Sequence, residues 1–572
     1  MLPKLIPDYQ NPTGVQQTTF AHDVFGRFTC STWNEVANNG GAPFDVVVIG
    51  AGMFGAYCAE KIYRLNSKKN IRILVLDAGA FLYSTHFQNL PHMGVGFPDL
   101  TKIPPVTSNQ SDPGPTNIVW GFPWHSDQVF PGLAYNLGGR SLFWGGWAPQ
   151  LTAADLAQWP NDLATYLSAN YGKTENEIGV KPKTDYLTAQ LYKALKPAFD
   201  AAAGPLGSSV DVAPLAIQGN APAPGLFSFD KYSSANLLID ALREDIAARW
   251  AFPEDNSRRL LMFMPRANVV RLLHGGGKVT GMELFVDGQY QVITAPLLAA
   301  DCAVVLANST IESTRLALES FPVAGMGANL MGHLRSNLTV KLRRSAFPTL
   351  PANPAVLETA AFIVRGTTNG RQFHLQVTAS GDPGANPEKN MFSAIPDIDL
   401  LDSIVANQDP NWIVVTLRSI GEMAGDKTAQ PGDQNKSWMN LTFDVPDQRD
   451  GNGLRRAWVN LQPTADDLIT WSQMEAAALN FAKALVANPA DMQIVSSNRD
   501  KIGSTHHEAG TLWMGTAPGS SITNTSGRFH HVDNAYVAGP ALFPTLGSAN
   551  PSLTALTLAR RTASAIIGQL RP

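Results

Sequence analysis

His507 and Asn550 are the side chains of this sequence best suited to handling a proton. His507 stands in S-T-H-H-E-A-G-T-L-W-M-G (504–515) and Asn550 in F-P-T-L-G-S-A-N-P-S-L-T (543–554). A neutral imidazole titrates near pH 6.5 and suits a base that removes a hydroxyl proton. An asparagine amide cannot titrate but can orient an oxygen by hydrogen bonding. His506 is the adjacent rival. In an extended segment neighbours point to opposite faces, so only one of His506 and His507 is expected to face a common site. The same alternation argues against a metal held by His506, His507 and Glu508, and H-E-x-x-H is absent. His530 and His531 are expected in a solvated loop before the last strand.

A second chemistry sits far upstream, in G-A-G-M-F-G from Gly50 to Gly55. Alone, G-x-G-x-x-G is weak in a glycine-rich chain; its neighbours make it specific. F-D-V-V-V-I-G (44–50) reads as a strand buried on both faces. Residues 56–65 have helical apolar spacing, and I-R-I-L-V-L-D-A-G (71–79) is a second buried strand carrying Asp77. In that order Gly50 permits the tight turn, Gly52 admits a pyrophosphate, and Gly55 lets helix meet sheet. The helix N-terminus offers unpaired N–H groups to the phosphates, and Asp77 can accept from ribose hydroxyls.

Composition bounds the partners. The chain has 572 residues, 43 basic and 47 acidic, for a net charge of −4. There is no basic excess to neutralise a phosphate backbone, so nucleic acid is not an expected partner. No apolar run reaches the length of a membrane span, and none near the first residues resembles a signal peptide. A cytoplasmic location is the expectation that follows. Cys30, Cys58 and Cys302 form no C-x-x-C and are expected to be buried small hydrophobes.

The elements between the two motifs must hold them together. Residues 300–308 read as another buried strand followed by a helix from Ile311. Residues 259–283 alternate around G-G-G-K as a hairpin. F-H-L-Q-V-T-A (373–379) and W-I-V-V-T-L-R (412–418) read as strands between Pro/Gly/Asp clusters, and residues 464–487 as a helix. His374, Gln376 and Thr378 share one strand face. The expected fold class is α/β plus α+β. A discontinuous Rossmann-like nucleotide domain takes residues 44–150, 236–340 and 501–572. A second domain, built on an antiparallel sheet, takes 151–235 and 341–500, and residues 1–43 form an N-terminal arm. The stretch 80–135 reads as a long loop.

With these pieces in order, the chain resembles the glucose–methanol–choline (GMC) oxidoreductase family of FAD enzymes from about Phe44 to Leu570. The motifs are Gly50, Gly52, Gly55 and Asp77; A-V-V-L-A-N-S-T-I-E-S-T-R-L (303–316), with Asn308 where glycine is commoner; residues 322–334; H-x-x-G-T at His507; Tyr536 to Gly539; and F-P…N-P (543–551). Asn550 and G-G-R-S-L-F-W-G-G-W (138–147) look most like the pyranose-oxidase-like branch. The resemblance implies FAD and oxidation of a CH–OH group, a sugar or glycoside first among substrates, with O2 or a quinone-like acceptor. It carries the base over to His507 and its partner to Asn550. It assigns Gly138, Gly139 and Ser141 to the pyrophosphate or ribityl chain, Gly145 and Gly146 to the flavin ring, and Val269 to adenine. Ala538 and Gly539 end the last strand at the cofactor edge. Pro551 and Ser552 open a helix facing the flavin pyrimidine edge. His374, Gln376 and Thr378 are candidates to line the substrate pocket. Pyranose oxidases attach FAD through a histidine in the G-G loop; Phe143 stands there in this chain, which implies dissociable FAD. Hydroxynitrile lyases and a photodecarboxylase share the scaffold and are the alternative within the fold. A nicotinamide enzyme would leave the C-terminal motifs unexplained, and a degenerate flavin-binding protein would not be expected to retain both His507 and Asn550. Oligomeric state is left open.

Overall fold

The structure is a computed structural model. It describes residues 29–30, 32–81, 119–121, 123–126, 130, 132–181, 188–207, 209–218, 230–248, 255–351, 358–381, 409–444 and 448–570. Most of the N-terminal arm and of the 80–135 loop lies outside these residues.

From Phe44 the chain enters β1 (Phe44–Ile49), turns into α1 (Met53–Leu65) and returns as β2 (Ile73–Leu76). Helices α2 (Asn161–Glu177) and α3 (Gln190–Ala203) follow, then β3 (Ser209–Val212) and α4 (Ser234–Ala247). Next come β4 (Leu261–Met264), the hairpin β5 (Ala267–Gly275) and β6 (Lys278–Val286), β7 (Gln289–Ile293), β8 (Leu298–Leu306) and α5 (Thr310–Ser320). Four long antiparallel strands come next: β9 (His333–Arg343), β10 (Thr359–Thr368), β11 (Arg371–Ser380) and β12 (Trp412–Glu422). The chain closes with α6 (Ala465–Ala484), β13 (Met492–Arg499), β14 (Ala535–Val537) and α7 (Pro551–Leu570).

Two sheets organise this. The first is five-stranded and parallel, in the order β14-β8-β1-β2-β4. β1 is apolar and buried except at Asp45, and β2 is apolar and buried over all four residues. Helix α1 is buried over nearly all its residues, packed against α7 and α4. The second sheet is six-stranded and antiparallel, in the order β13-β9-β12-β11-β10-β3. Helix α6 covers it, opened by a capping box in which Thr464 and Asp467 exchange hydrogen bonds. Between the sheets in sequence, β5, β6 and β7 form a small antiparallel sheet.

The expected mixed α/β architecture is what the structure shows. One detail differs from the sequence reading: β9 of the six-stranded sheet begins at His333, inside the segment 236–340. β3, from the stretch 151–235, pairs at the edge of the same sheet. The three cysteines are buried, as expected.

Candidate active site

A cavity of about 410 Å³ opens where the carboxyl ends of the parallel strands face the six-stranded sheet. Ile49, Leu76, Asp77 and Ala307 line it from the strand ends, and Arg335, Gln376, Arg418 and Ile420 from the antiparallel side. Open parallel sheets bind ligands at this edge.

At one end the three fingerprint glycines each do a different job. Gly50 has φ of 95°, and a Cβ there would lie 2.7 Å from the Ala307 carbonyl oxygen. A Cβ on Gly55 would lie 1.8 Å from the Gly50 oxygen, so only glycine lets α1 come this close to the turn. Gly52 is different: a Cβ there meets nothing within 4 Å. It is the N-cap of α1 and supplies no side-chain cap, so the first N–H groups of the helix face open space. Asp77 accepts from the backbone N–H of Ala51 at 2.6 Å and of Gly79 at 2.7 Å. A carboxylate has about four lone-pair sites, which leaves capacity for hydroxyl donors. Burial pushes the Asp77 carboxyl up to about 6 against those two N–H groups. An uncapped helix end beside an acid with spare acceptor capacity fits the pyrophosphate and ribose of a dinucleotide such as FAD.

Gly139, Gly145 and Val269 also line the cavity, with Pro551 and Ser552 at the start of α7. Gly138, Ser141, Gly146, Ala538 and Gly539 do not; they stand behind the wall. The Gly138 N–H donates to the Ala51 carbonyl, and the Ser141 hydroxyl donates to the Gly138 carbonyl. The Gly146 carbonyl accepts from Ala216, and the Ala538 N–H donates to Leu306 in the sheet. A Cβ on Gly539, whose φ is 137°, would lie 3.2 Å from the Phe54 ring. Their bonds shape the loops that carry the lining residues. Phe143 lines the cavity, its ring centroid 5.0 Å from that of Trp120.

At the other end the polar side chains form a line of hydrogen bonds. His333 Nε2 lies 2.9 Å from the Gly547 carbonyl oxygen and its Nδ1 lies 2.8 Å from His507 Nδ1. A carbonyl only accepts, so His333 Nε2 carries the proton and, in its neutral form, Nδ1 carries a lone pair. His507 Nδ1 must then donate, which leaves His507 Nε2 as an acceptor. Asn550 Nδ2 donates to it at 3.3 Å, and Asn550 Oδ1 accepts from Gln376 Nε2 at 2.6 Å. The tautomers follow from this network. Burial holds the His507 imidazole well below its ordinary value, reinforced by His333 and Arg335. Burial likewise takes His333 down to about 4. Both rings are neutral near pH 7, and the one lone pair of His507 Nε2, at the cavity, accepts from Asn550.

His506 corrects the sequence reading. The segment is bent rather than extended, with His506 at φ of 58°, and both histidines line the cavity. Arg140 Nη1 donates to His506 Nδ1 at 3.3 Å, so the neutral His506 ring carries its proton on Nε2. Arg140 also pairs with Glu508. Of the strand triplet, Gln376 lines the cavity, whereas His374 and Thr378 do not. His374 lies behind it, 3.2 Å from Gln376 through its Nε2, and the strand is buried on both faces. His530 and His531 lie in the loop before β14. They are half-buried, bonded to Ser521 and to the Phe321 carbonyl, with His531 edge-on to Phe321 and Phe529.

Sequence reasoning missed His333, Arg335 and Arg418. The signal was present in H-L-R-S-N-L-T-V-K-L-R (333–343), where His333, Arg335 and Asn337 alternate with residues of the other face.

Residues 440–559, which contain both His507 and Asn550, match the family model described as GMC oxidoreductase. Over that stretch the chain is similar to GMC oxidoreductases. No curated protein matches it in sequence. Among solved structures, pyridoxine 4-oxidase from Mesorbium loti is 14% identical, with a TM-score of 0.53 over 91% of this chain and 99% of that one. Formate oxidase from Aspergillus oryzae RIB40, in a structure concerned with the effect of a mutation on FAD modification, is 12% identical, with a TM-score of 0.54 over 92% and 99%. At these identities the likeness is one of fold. GMC oxidoreductases, which residues 440–559 resemble, use FAD and act on CH–OH donors. Among the described residues of this chain, no helix is long and apolar enough to cross a membrane.

Proposed function

We propose that the chain oxidises a CH–OH group, that of a sugar or glycoside first among candidates, to a carbonyl, with His507 taking the hydroxyl proton on Nε2. The observation that carries this reading is the line from the Gly547 carbonyl through His333 to His507, which leaves an unprotonated nitrogen in the cavity. FAD, when bound, supplies the hydride acceptor. Asn550 Nδ2 bonds His507 Nε2 at 3.3 Å; a substrate hydroxyl would displace that bond, donate to His507 Nε2 and accept from the freed Asn550 amide. Gln376 fixes which way that amide points. His506 stands on the same wall, its Nδ1 accepting from Arg140. Gly52 with the first turn of α1, Asp77, Gly139, Gly145 and Val269 would hold the cofactor.

FAD is read as non-covalent, since Phe143 offers no nucleophilic atom at the G-G loop. The parallel-sheet segments are assigned to the cofactor and the six-stranded sheet to the substrate. O2 or a quinone-like compound would reoxidise the enzyme. The lyase and light-driven readings are not taken up, because both neighbours named above are oxidases.

The test is anaerobic bleaching of the purified yellow protein with sugars, glycosides and simple alcohols, in wild type and His507→Ala. Bleaching by one class, slowed on the order of 100-fold or more in the variant, is expected. A variant that bleaches at the wild-type rate would remove His507 from the role of base. Acid precipitation that leaves the flavin with the protein would overturn the non-covalent reading.

A further inference from the structure

His374 is fully buried behind the cavity wall. It sits two residues from Gln376 on β11, so both side chains lie on one face of the strand. Gln376 Nε2 lies 3.2 Å from His374 Nε2 and 2.6 Å from Asn550 Oδ1. One carbonyl decides the direction of every hydrogen bond in this cluster. Gly547 accepts from His333, His333 from His507, and His507 from Asn550. With Asn550 Nδ2 donating, Asn550 Oδ1 must accept, so Gln376 faces it with its NH2 group. That nitrogen has a second hydrogen for His374, whose Nε2 must then be unprotonated. Burial keeps the His374 ring neutral, outweighing the Ser548 backbone, which favours the charged form. A neutral His374 in this arrangement carries its proton on Nδ1.

The loop that carries Asn550 is itself pinned. The Gly547 N–H donates to Glu422 Oε1 at 3.0 Å and the Ser548 N–H to Asp155 Oδ1 at 3.1 Å. The backbone is thus fixed, and what remains free is which end of the Asn550 amide faces the reacting oxygen. Without substrate the amide is oriented from both sides, by His507 and by Gln376. A hydroxyl that donates to His507 Nε2 takes the lone pair that Asn550 had used. From then on only Gln376 distinguishes the two ends of the amide. Gln376 could turn over as well and offer its oxygen to Asn550. The lone pair of His374 Nε2 prevents this, because a turned Gln376 would set two acceptors against each other in a buried place.

We infer that His374 is a positioning residue for the oxidation: its Nε2 lone pair holds Gln376 as a double donor, which keeps the Asn550 N–H turned to the substrate oxygen while His507 takes the hydroxyl proton. This rests on the proposed roles of His507 and Asn550. No proton travels along the line. The hydroxyl proton goes to His507 Nε2, and His374, Gln376 and Asn550 keep their own. With the His374 lone pair removed, the turned amides would point Asn550 Oδ1 at the substrate. The hydroxyl would then donate to that oxygen instead of to His507, in a complex that binds without reacting.

The experiment has two arms. The first is 15N spectroscopy of the FAD-loaded protein labelled in its histidine side chains, with signals assigned by single glutamine substitutions. His374 and His507 should carry their protons on Nδ1 and His333 on Nε2. A proton on His374 Nε2 overturns the inference whatever the activity. The second arm is stopped-flow flavin reduction without oxygen, using D-glucose, a methyl glucoside, glycerol and ethanol. His374→Leu should lower the limiting rate about 10-fold, leave the dissociation constant of the alcohol within about 3-fold, and leave FAD content unchanged. His374→Gln, whose amide oxygen can accept in place of Nε2, should recover most of that rate. In an Asn550→Ala background His374→Leu should change the rate by less than about 2-fold. Unchanged reduction in His374→Leu, a comparable loss in the Asn550→Ala background, or a His374→Gln protein as slow as His374→Leu each overturns the inference, since a residue that only fills space behaves in those ways. If none of the alcohols bleaches the flavin, the oxidation reading fails, while the spectra still decide whether His374 holds the amides.

Discussion

The ring of His507 meets that of His333 edge to face, at 89° and 4.9 Å between centroids, with the two Nδ1 atoms 2.8 Å apart. One ring must donate and the other accept. The Gly547 carbonyl on the far side of His333 decides which. A backbone oxygen thus sets the tautomer of the proposed base, two hydrogen bonds away.

Replacing His333 should therefore impair chemistry without touching the cofactor. In His333→Ala the His507 Nδ1 proton loses its acceptor, and the alternative tautomer places hydrogen on Nε2. The rate of anaerobic flavin reduction should fall on the order of 10- to 100-fold, less than for His507→Ala. FAD content should stay near one per chain. Unchanged reduction kinetics in His333→Ala would show that the tautomer is set elsewhere.

Acid should loosen this fold early. His333 titrates near 4 in the folded chain, and burial also lowers His374, His506 and His507. A depressed histidine keeps the fold fully stabilised above its unfolded value of about 6.5, and that stability is lost as pH falls toward the folded value. His333 alone accounts for on the order of 3 kcal/mol of this loss. Melting temperature should be flat above about pH 6.5 and decline from there toward pH 4, less steeply in His333→Gln. A melting temperature that holds steady to pH 4.5 would contradict the burial of neutral imidazoles. The same depression keeps His507 competent as a base below pH 6.5, so the acid limb of flavin reduction should lie under the ordinary histidine range.

Two glycines three residues apart should fail in opposite ways. Gly55→Ala places a Cβ 1.8 Å from the Gly50 oxygen and forces α1 away from the turn. It should destabilise the apoprotein by about 1–3 kcal/mol or more. Gly52→Ala meets no atom within 4 Å, so the apoprotein should melt as wild type does. Its added methyl occupies the cradle at the helix end, and FAD affinity should drop on the order of 10-fold or more. Thermal melts and flavin titrations of both apoproteins would separate the two effects. A Gly52→Ala protein that binds FAD as wild type does would place the pyrophosphate elsewhere.

Asp77 gives a pH signature to cofactor binding. Its carboxyl is raised to about 6, so protonation begins to remove its acceptor charge as pH drops through that value. FAD affinity of the apoprotein should weaken between about pH 7 and 5, and Asp77→Asn should weaken binding and lose that dependence. Fluorescence titration of FAD across this range checks it.

Much of the fold was legible because it repeats strong local patterns. The run from Phe44 to Ile49 is buried except at Asp45, as its β-branched composition predicts, and the glycines beyond it take the geometry their spacing implies. What the sequence hid were contacts made by residues far apart in it. His333 gains its meaning from His507 and Gly547, and Gln376 from Asn550. The choice between His506 and His507 was posed wrongly. It assumed an extended backbone, and a single positive φ at His506 turns both rings to the same cavity. Gly138, Ser141 and Gly146 carry motif identity yet face inward, because a loop pressed against a ligand must itself be braced from behind.

The strand order of the parallel sheet also governs when the enzyme can exist during its synthesis. β1 lies between β2, its near neighbour in sequence, and β8, which begins only at Leu298; β14, which completes the edge, begins at Ala535. The dinucleotide turn therefore emerges from the ribosome long before the strand that flanks it, and an apolar strand edge stays unpaired while the intervening chain is made. His507 and Asn550 are translated after nearly all of both sheets. A nascent chain thus carries the nucleotide turn well before the two side chains proposed to move the proton.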